Sequence, residues 1–301
     1  MYPHKEKINN LLSSKKLPSV DKKRVVDLLK RYEKFLEDLD SISRIKTEED
    51  LKKFTDIMND YKFYLDFHFI FESPEDFLYR QQGQLKIQSS FMEELLIHLF
   101  RKAFPHFEKQ GFMLGPAKSL LRIYFLANFA NLGTGGHISL KEKDIDFAIS
   151  KQIYIRTSFQ EAFSTWEEKK SSLSFIAFEC KTNLDKTMFQ EIIASASELK
   201  SLLPSAKYFV ICEWLDMKPI STLATPIDEV IILRGKRLPQ KERELFSSKD
   251  ERIRKKNFYR NHLRKNPIRY KSLLRIIEHI KRALEALEGV DENNVIERGY
   301  F

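Results

Sequence analysis

Apolar side chains recur at helical spacing in the first quarter of the chain. Residues 19–42 place them three or four positions apart with charges between them, a pattern that predicts an amphipathic helix. A second helix is predicted from a capping-box-like start at Thr47 to about Phe71. Residues 1–80 are therefore expected to form a helical N-terminal arm or subdomain.

The rest of the chain alternates helices with apolar strands. A helix is predicted over 85–104, and a glycine-rich turn at 133–136 precedes a hairpin arm that begins at His137. A strand, a helix and another strand then follow in close succession, which indicates a parallel crossover. These elements predict a mixed α/β fold in which a central mixed β-sheet is flanked by helices. The expected elements are a strand starting at Asp146, strands over 152–156, 175–181, 207–212 and 229–233, a polar connection at 157–172, and helices over 186–203 and 268–287.

Two of the predicted strands place acids beside apolar residues. One strand ends in Glu179-Cys180-Lys181, and Asp146 opens another. Because strand side chains alternate, Glu179 and Lys181 point the same way and Cys180 points to the opposite face. A carboxylate pair beside a lysine suits a hard divalent cation and a phosphodiester. Asp144, two positions earlier, is an alternative to Asp146 as the first acid.

This arrangement resembles the PD-(D/E)xK nuclease superfamily, whose signature is an acid, a variable gap, and then acid-x-Lys on a strand. Asp146, Glu179 and Lys181 carry the resemblance, although Ile145 stands in place of the proline of the signature. The resemblance implies a restriction-endonuclease-like catalytic core over about 85–235, within a nuclease domain at 81–301.

The resemblance also implies roles for these residues. Asp146 and Glu179 are expected to bind Mg²⁺, an ion that prefers oxygen ligands, together with the backbone carbonyl of Cys180. Lys181 is expected to orient or activate the attacking water and to neutralise charge on the phosphate. One-ion and two-ion mechanisms both remain open.

Helices on either side of the proposed site supply further candidates. Similar nucleases often carry a glutamate after an apolar residue on the helix before the first catalytic strand. Glu93 follows Met92 and fits that place better than Glu94, although both lie at nearly equal angles to the apolar face. Glu93 is expected to assist a metal ion through water. Lys186 and Gln190, one turn apart on the helix after the catalytic strand, are candidates for contact with the DNA backbone or a base edge.

The net charge of +9 is concentrated in one segment. Residues 249–271 hold ten Lys or Arg against Asp250 and Glu251, so most of the imbalance lies there. A basic block interleaved with Asn, Tyr and Phe favours a nucleic-acid partner over a merely solvated surface. Its candidate contacts to bases or phosphates are Arg254, Asn257, Arg260, Asn261 and Arg264.

Composition excludes several classes of protein. The 301 residues are 42% hydrophobic and 32% charged, as in globular proteins, and no apolar run approaches the length of a membrane span. No glycine-rich nucleotide-binding loop and no closely spaced histidine pair occur. Cys180 and Cys212 are predicted to be buried thiols in a reducing compartment, and the N-terminus lacks a signal-peptide pattern, so a cytoplasmic location is expected.

Residues 178–189 resemble type II restriction endonucleases more closely, in particular a group that cuts CCTNAGC-like, asymmetric sites as two related subunits. The resemblance implies Mg²⁺-dependent, sequence-specific double-strand breaks in DNA. The active assembly would be a homodimer, or a heterodimer with a related subunit, in a system with a companion DNA methyltransferase. Two other functions remain open: a structure-specific DNA repair or recombination nuclease, and a catalytically silent DNA-binding partner subunit.

Overall fold

The N-terminal third is helical, as its apolar spacing predicts. The computed structural model of the chain describes residues 2–130, 132–287 and 296–297. The helix from Thr47 begins with a capping box, because the Thr47 hydroxyl accepts a hydrogen bond from the Asp50 N–H and the Asp50 carboxylate accepts one from the Thr47 N–H. The first six helices are α1 (Pro3–Leu12), α2 (Ser19–Asp40), α3 (Glu48–Phe63, continued by a π-helix at Tyr64–Phe71), α4 (Phe77–Leu85), α5 (Ile87–Ala103) and α6 (His106–Lys109).

A five-stranded mixed sheet lies in the centre of the fold, in the order β1-β2-β3-β4-β5. The β1–β2 and β2–β3 pairs are antiparallel, whereas β3–β4 and β4–β5 are parallel. Helix α7 (Lys186–Leu202) connects β3 to β4, so the predicted parallel crossover and the mixed α/β fold are confirmed. The strands are β1 (Met113–Phe125), β2 (Ile138–Thr157), β3 (Glu167–Leu184), β4 (Lys207–Leu215) and β5 (Glu229–Lys236).

Two strand boundaries differ from those expected. Residues 152–156 are the second half of β2 rather than a separate strand, and residues 167–172 of the expected polar connection at 157–172 belong to β3. These polar halves pair with each other, from Lys151 opposite Leu173 to Thr157 opposite Glu167. The strand expected at 152–156 is present as part of β2, whereas backbone pairing stabilises 167–172 without an apolar pattern, which is why hydrophobic periodicity did not reveal the start of β3.

Apolar residues on both faces of the sheet form two cores. On one face, Phe147, Phe178 and Phe209 join a core that contains Phe100 of α5 and extends to Val25 of α2. On the other face, the strands pack against α7, with Phe189 and Ile192 of the helix buried. Helices on both faces therefore hold the sheet rigidly, and the N-terminal helices share the first of these cores. The two cysteines are buried and unpaired, as predicted.

The C-terminal helices cover the π-helical segment. Phe71 lies between Phe246 and Tyr259, with ring centroids 5.1 Å and 4.2 Å away. No described helix is long and apolar enough to cross a membrane. The far end of the predicted nuclease domain, at residue 301, lies outside the described residues. These helices are α8 (Gln240–Leu245), α9 (Lys249–Arg254), α10 (Lys256–Lys265) and α11 (Tyr270–Leu287).

Four buried charged side chains join the π-helical segment to the sheet. Lys62 lies 2.6 Å from an Asp66 oxygen and 3.0 Å from a Glu213 oxygen. Arg234 completes the ring, at 3.1 Å from Asp66 and 3.0 Å from Glu213. All four side chains are at most 2% exposed. We call this group the inner charge network.

Candidate active site

A β-bulge positions Asp146. Gly115 of β1 pairs with Ala148 of β2, and Ala117 pairs with Ile145. One residue of β1 therefore lies opposite two residues of β2 between these pairs, which is a β-bulge in β2. The extra residue of β2 therefore falls where Asp146 lies, and bulges of this kind re-aim side chains next to active sites. One carboxylate oxygen of Asp146 accepts a hydrogen bond from the backbone N–H of Cys180 on β3, at 2.8 Å.

Glu179 and Lys181 meet Asp146 from the neighbouring strand. The Lys181 ammonium lies 3.1 Å from a Glu179 oxygen and 3.8 Å from an Asp146 oxygen. The Glu179 side chain is 6% exposed, whereas those of Asp146 and Lys181 are each 32% exposed. The structure therefore brings the three signature residues together at a place that solvent reaches.

Two side chains that the sequence did not single out hold Glu179. Its second oxygen accepts hydrogen bonds from the Lys143 ammonium, at 2.8 Å, and from the Tyr208 hydroxyl, at 2.9 Å. Lys143 also donates to the Ser195 hydroxyl of α7. These bonds fix the carboxylate plane and direct the first oxygen towards Lys181. Lys143 and Tyr208 reach Glu179 from two other strands, β2 and β4, so no local pattern in the sequence indicated them.

Opposing effects set the protonation of this cluster. Burial works against ionisation of Glu179, but Lys181 and Lys143 outweigh it and lower the pKa of Glu179 to about 2. Burial and repulsion from Glu179 together raise the pKa of Asp146. Burial also disfavours the charge on Lys181, yet the two carboxylates outweigh it and raise the pKa of the ammonium. The cluster thus combines Glu179, which stays ionised, with Asp146, whose ionised form an added positive charge would stabilise.

The two glutamates of α5 occupy different environments. Glu94 is buried and accepts hydrogen bonds from the backbone N–H of His4, at 2.9 Å, and from the Tyr32 hydroxyl, at 2.6 Å. Glu93 lies on the side of Asp146, and burial together with repulsion from Asp146 raises the pKa of Glu93 to about 7. Contacts with the N-terminal helices therefore occupy Glu94, and Glu93 faces the candidate site.

Asp144 and Cys180 lie beside the cluster in different ways. Asp144 is exposed and pairs across the ladder with Lys118 of β1. The Cys180 side chain is 4% exposed and lies in the core on the opposite face from Glu179. Burial raises the pKa of the Cys180 thiol well above its usual value. Cys180 can therefore offer this site only its backbone.

The oxygen donors fit a hard cation. Asp146 and Glu179 approach from adjacent strands, and the backbone of Cys180 runs between them. Among the described residues, no group of three or more His, Cys, Asp or Glu side chains is arranged to hold a metal. An ion at this place would have two carboxylate ligands and would complete its shell with backbone, water and substrate oxygens, which is how Mg²⁺ is usually bound.

The predicted DNA-contacting residues of α7 are exposed. The side chain of Asp185 caps the helix by accepting from the Met188 N–H at 2.8 Å, which fixes the start of α7 directly after β3. Lys186 and Gln190 lie one turn apart on its solvent side. Both project from the helix that immediately follows β3, the strand that carries Glu179 and Lys181.

Helices α9 and α10 divide the basic segment into structural and exposed cations. Arg252 is 3% exposed and donates to the carbonyl oxygens of Phe71 and Phe246 and to the Asp76 carboxylate, so its role is structural. Arg254 is exposed and pairs with Glu251 at 2.8 Å. Arg260 and Arg264 lie over the rings of Phe67 and Phe63, while Asn257 and Asn261 are exposed on the same helix, α10.

One cavity connects the basic segment with β3. It has a volume of about 240 Å³, and its lining includes Thr182 and Asn183, which directly follow Lys181 on β3. Tyr259 and His262 of α10 line the other side. A polyanion bound along α10 would therefore pass close to the end of the strand that carries Glu179 and Lys181.

Comparisons with known proteins agree with this geometry. The family model of the Bpu10I restriction endonuclease matches residues 84–301. A solved structure described as the native BbvCI A2B2 tetramer is similar in fold, with a TM-score of 0.56 and 17% sequence identity over 88% of this chain and 98% of that chain. No curated protein sequence matches the chain.

Proposed function

This chain belongs to the Bpu10I restriction endonuclease family, and on that premise we propose which residues cut DNA, which ion assists them and which surface binds the duplex. It is a sequence-specific type II restriction endonuclease, a class of enzyme that generally uses a divalent metal ion. We propose Mg²⁺ as that ion and a CCTNAGC-like, asymmetric sequence as the recognition site. The convergence of Asp146, Glu179 and Lys181, with the ammonium 3.1 Å and 3.8 Å from the two carboxylates, carries the proposal.

Asp146 and Glu179 hold Mg²⁺ in this proposal, with the backbone carbonyl of Cys180 as a further ligand. When bound, the ion supplies Lewis acidity and neutralises charge on the phosphate. Glu179 remains ionised at neutral pH because neighbouring lysines lower its pKa to about 2. Asp146, whose pKa is raised by burial and by Glu179, is stabilised as a carboxylate by any added cation.

Lys181 orients the attacking water and neutralises the phosphate. Its ammonium already lies between the two carboxylates, so a phosphodiester bound beside them comes within its reach. Lys143 and Tyr208 are positioning residues, because they touch Glu179 and not the reacting atoms. Glu93 faces Asp146 from α5, and we propose that it assists the ion through a water molecule.

The duplex lies across α7 and α10 in this proposal. Lys186 and Gln190 contact the strand next to the scissile phosphate, since their helix starts where the catalytic strand ends. The exposed part of the basic segment contacts phosphates and base edges further along the DNA, and phosphate contacts make binding steeply dependent on salt. The proposed contacts there are Arg254, Asn257, Arg260, Asn261 and Arg264.

Assembly and context follow from the need to cut both strands of an asymmetric site. We propose that two subunits act together, as a homodimer or with a related subunit; the BbvCI structure is itself described as an A2B2 tetramer. We also propose a companion DNA methyltransferase that protects the host sequence. A cytoplasmic location is proposed because the enzyme meets its DNA substrate there.

Sequencing the ends of digested DNA tests this function most directly. Plasmid DNA is incubated with the protein and Mg²⁺, with a matched reaction in which a chelator removes the ion. Discrete fragments whose ends share one sequence, formed only with the ion, are the expected result. Fragments with unrelated ends would contradict sequence-specific cutting, and DNA left with neither breaks nor nicks would contradict a site that is active in this chain without a related subunit.

A further inference from the structure

The cavity at the end of β3 has a lining of three chemical kinds. It contains the amide side chains of Gln82, Gln88 and Asn183, five aromatic rings and two arginines. Flat rings suit the faces of a nucleobase, amides suit its edge, and arginines suit a phosphate. A free anion would leave the amides and rings unused, and an apolar molecule would leave the arginines unused. The lining therefore matches a nucleotide.

The place of the cavity selects DNA as the source of that nucleotide. Asn183 lies two residues beyond Lys181 on β3. A strand advances by about 3.3 Å per residue, so the Cα atoms of these two residues are about 7 Å apart. Lys181 is the group proposed to neutralise the scissile phosphate. A nucleotide in the cavity is therefore one that lies directly beside that phosphate.

The amide of Asn183 is available to such a ligand. The side chain is half-buried, and no hydrogen bond engages its amide within the part of the chain that the structure describes. Gln88, by contrast, donates to the Asp66 carboxylate of the inner charge network at 3.0 Å. An asparagine amide offers a donor and an acceptor side by side, which is the arrangement that pairs with the edge of adenine. Asn183 can therefore read a base without giving up an internal bond.

The aromatic wall of the cavity is fixed by its surroundings. The rings of Trp214 and His262 stack, with centroids 5.0 Å apart and planes 24° apart. The guanidinium of Arg234, a member of the inner charge network, lies 5.3 Å from the centre of the Trp214 ring. Because the wall is already ordered, little conformational freedom is lost when a ligand binds.

The two arginines give the cavity an excess of positive charge. Arg237 and Arg243 share the single carboxylate of Asp216, at 2.7 Å and 3.4 Å. The three side chains are 27–31% exposed, so solvent and ligands reach them. A phosphate beside this group would balance the second arginine through charge-assisted hydrogen bonds.

We propose that this cavity recognises the nucleotide next to the scissile phosphate: Asn183 reads the edge of its base, and Arg237 binds its phosphate. The inference rests on the proposed function and deepens it, because it makes Asn183 a specificity-determining residue of the same enzyme. Adenine is the base that an asparagine amide fits best.

Asn183→Ala tests the reading of the base. The full chain selects duplexes from a randomised pool without divalent ions, so that DNA is bound and not cut. The unsubstituted chain should select one sequence, and Asn183→Ala should lose about ten- to a hundredfold of the discrimination at one position and keep the others. Asn183→Asp, which has the same size but only acceptors, should change the preferred base at that same position. The control is Gln84→Ala, an exposed amide of α4 outside the cavity, which should select as the unsubstituted chain does.

Arg237→Gln tests the phosphate contact. It leaves Arg243 and Asp216 as a balanced pair, so it removes the excess charge without leaving a carboxylate unpaired. Affinity should fall for all sequences alike, and the slope of log Kd against log salt should decrease by about one. Arg282→Gln, at an exposed position of α11, removes the same charge away from the cavity and should leave the slope unchanged.

The outcomes separate this inference from the proposed function. An Asn183→Ala variant that keeps the full preference at every position, or loses it evenly at all of them, would overturn the reading of the base. An unchanged affinity and salt slope for Arg237→Gln would overturn the phosphate contact. Nicking of supercoiled plasmid with Mg²⁺, measured in parallel, reports on the proposed chemistry. A chain that selects a sequence and never nicks would contradict that chemistry, while one position relaxed by Asn183→Ala would still support the cavity.

Discussion

Two clusters in this molecule have the same charges and different surroundings. The proposed catalytic cluster consists of Asp146, Glu179 and Lys181 with the positioning residue Lys143, and it has one face open to solvent. The inner charge network also has two carboxylates and two cations, all at most 2% exposed. Composition alone therefore does not identify an active site. Access for an ion, a water molecule and a phosphate does.

Burial makes each member of the inner charge network dependent on its partners. Taking a charge out of water is costly, and the loss of one partner leaves another charge unpaired. Burial raises the pKa of Glu213 even though Lys62 works against that rise. The open cluster tolerates an imbalance because water and added ions compensate it. We therefore expect substitutions in the inner charge network to change stability, and substitutions in the catalytic cluster to change chemistry.

The largest expected effect is on cleavage, from Lys181→Ala. It should lower the rate by about a thousandfold or more, because the substitution removes the only proposed group that both orients water and neutralises the phosphate. DNA binding, measured without divalent ions, should change little. Lys170→Ala, at an exposed position on the same strand, is the matched control and should cut normally. Undiminished cutting by Lys181→Ala would remove this residue from the mechanism.

The second effect is on folding, from Lys62→Met in the inner charge network. It should lower the free energy of unfolding by about 3–5 kcal/mol, because Asp66 and Glu213 then share Arg234 alone. Adding Glu213→Gln should restore part of the loss, since Asp66 and Arg234 remain as a balanced pair. Urea denaturation measures the free energy of unfolding of the single and the double variant. The control is Lys52→Met, at an exposed helix position, which should change that free energy by no more than about 0.5 kcal/mol. A Lys62→Met variant as stable as the unsubstituted chain would contradict the expectation that charges in the buried network depend on their partners more than the solvent-exposed cluster does.

The third expected effect is a pH dependence of stability that comes from one buried histidine. His4 is fully buried, and burial lowers the pKa of its ring from 6.5 to about 4, with Glu94 acting in the opposite direction. The unfolded chain takes up this proton below about pH 6.5 and the folded chain does not, so the His4 contribution to stability is complete above that pH and is lost as the pH falls towards 4. The loss should approach about 1.4 kcal/mol per pH unit within that window.

His4→Gln isolates this contribution. Denaturation curves of both proteins between pH 7 and pH 4 should converge as the pH falls, because the variant carries no proton site there. Parallel curves across that window would show that His4 does not titrate as its burial requires.

The smallest effect is expected from a residue that only positions Glu179. Lys143→Met should lower cleavage by about ten- to a hundredfold and raise the Mg²⁺ concentration needed for half-maximal rate, as substitutions behind metal ligands commonly do. Lys141→Met is the control, since Lys141 pairs with Glu198 of α7 at 2.6 Å and does not contact the cluster. Single-turnover cleavage across a Mg²⁺ series measures both, and equal effects at 141 and 143 would deny Lys143 a specific role.

The sequence was enough to predict the features that depend on residues close together in the chain. Asp185 and Thr47 cap their helices through neighbours three residues away, and acid-x-Lys at 179–181 lies on one strand. The sequence favoured Glu93 over Glu94 only through the resemblance to similar nucleases, and the N-terminal helices supply the physical reason, because Tyr32 and His4 bind Glu94.

Long-range packing determines the features that the sequence did not reveal. Lys62 and Asp66 are four residues apart on a helix, a spacing typical of exposed ion pairs, and only β4 and β5 seal them from water. Lys143 reaches Glu179 because β2 and β3 pair in one particular register. Residues 167–172 at the start of β3 are polar, so only their pairing with the second half of β2 identifies them as part of a strand.

The alternation of side chains along β3 determines where the chain can tolerate an inserted residue. Side chains along a strand alternate with a period of two, so one residue inserted between Leu173 and Phe178 would turn Glu179 and Lys181 into the opposite core. A residue added at the tip of the turn, among 158–166, would leave that alternation untouched. Natural variation in length should therefore accumulate at the tip and be absent from the strand beneath it.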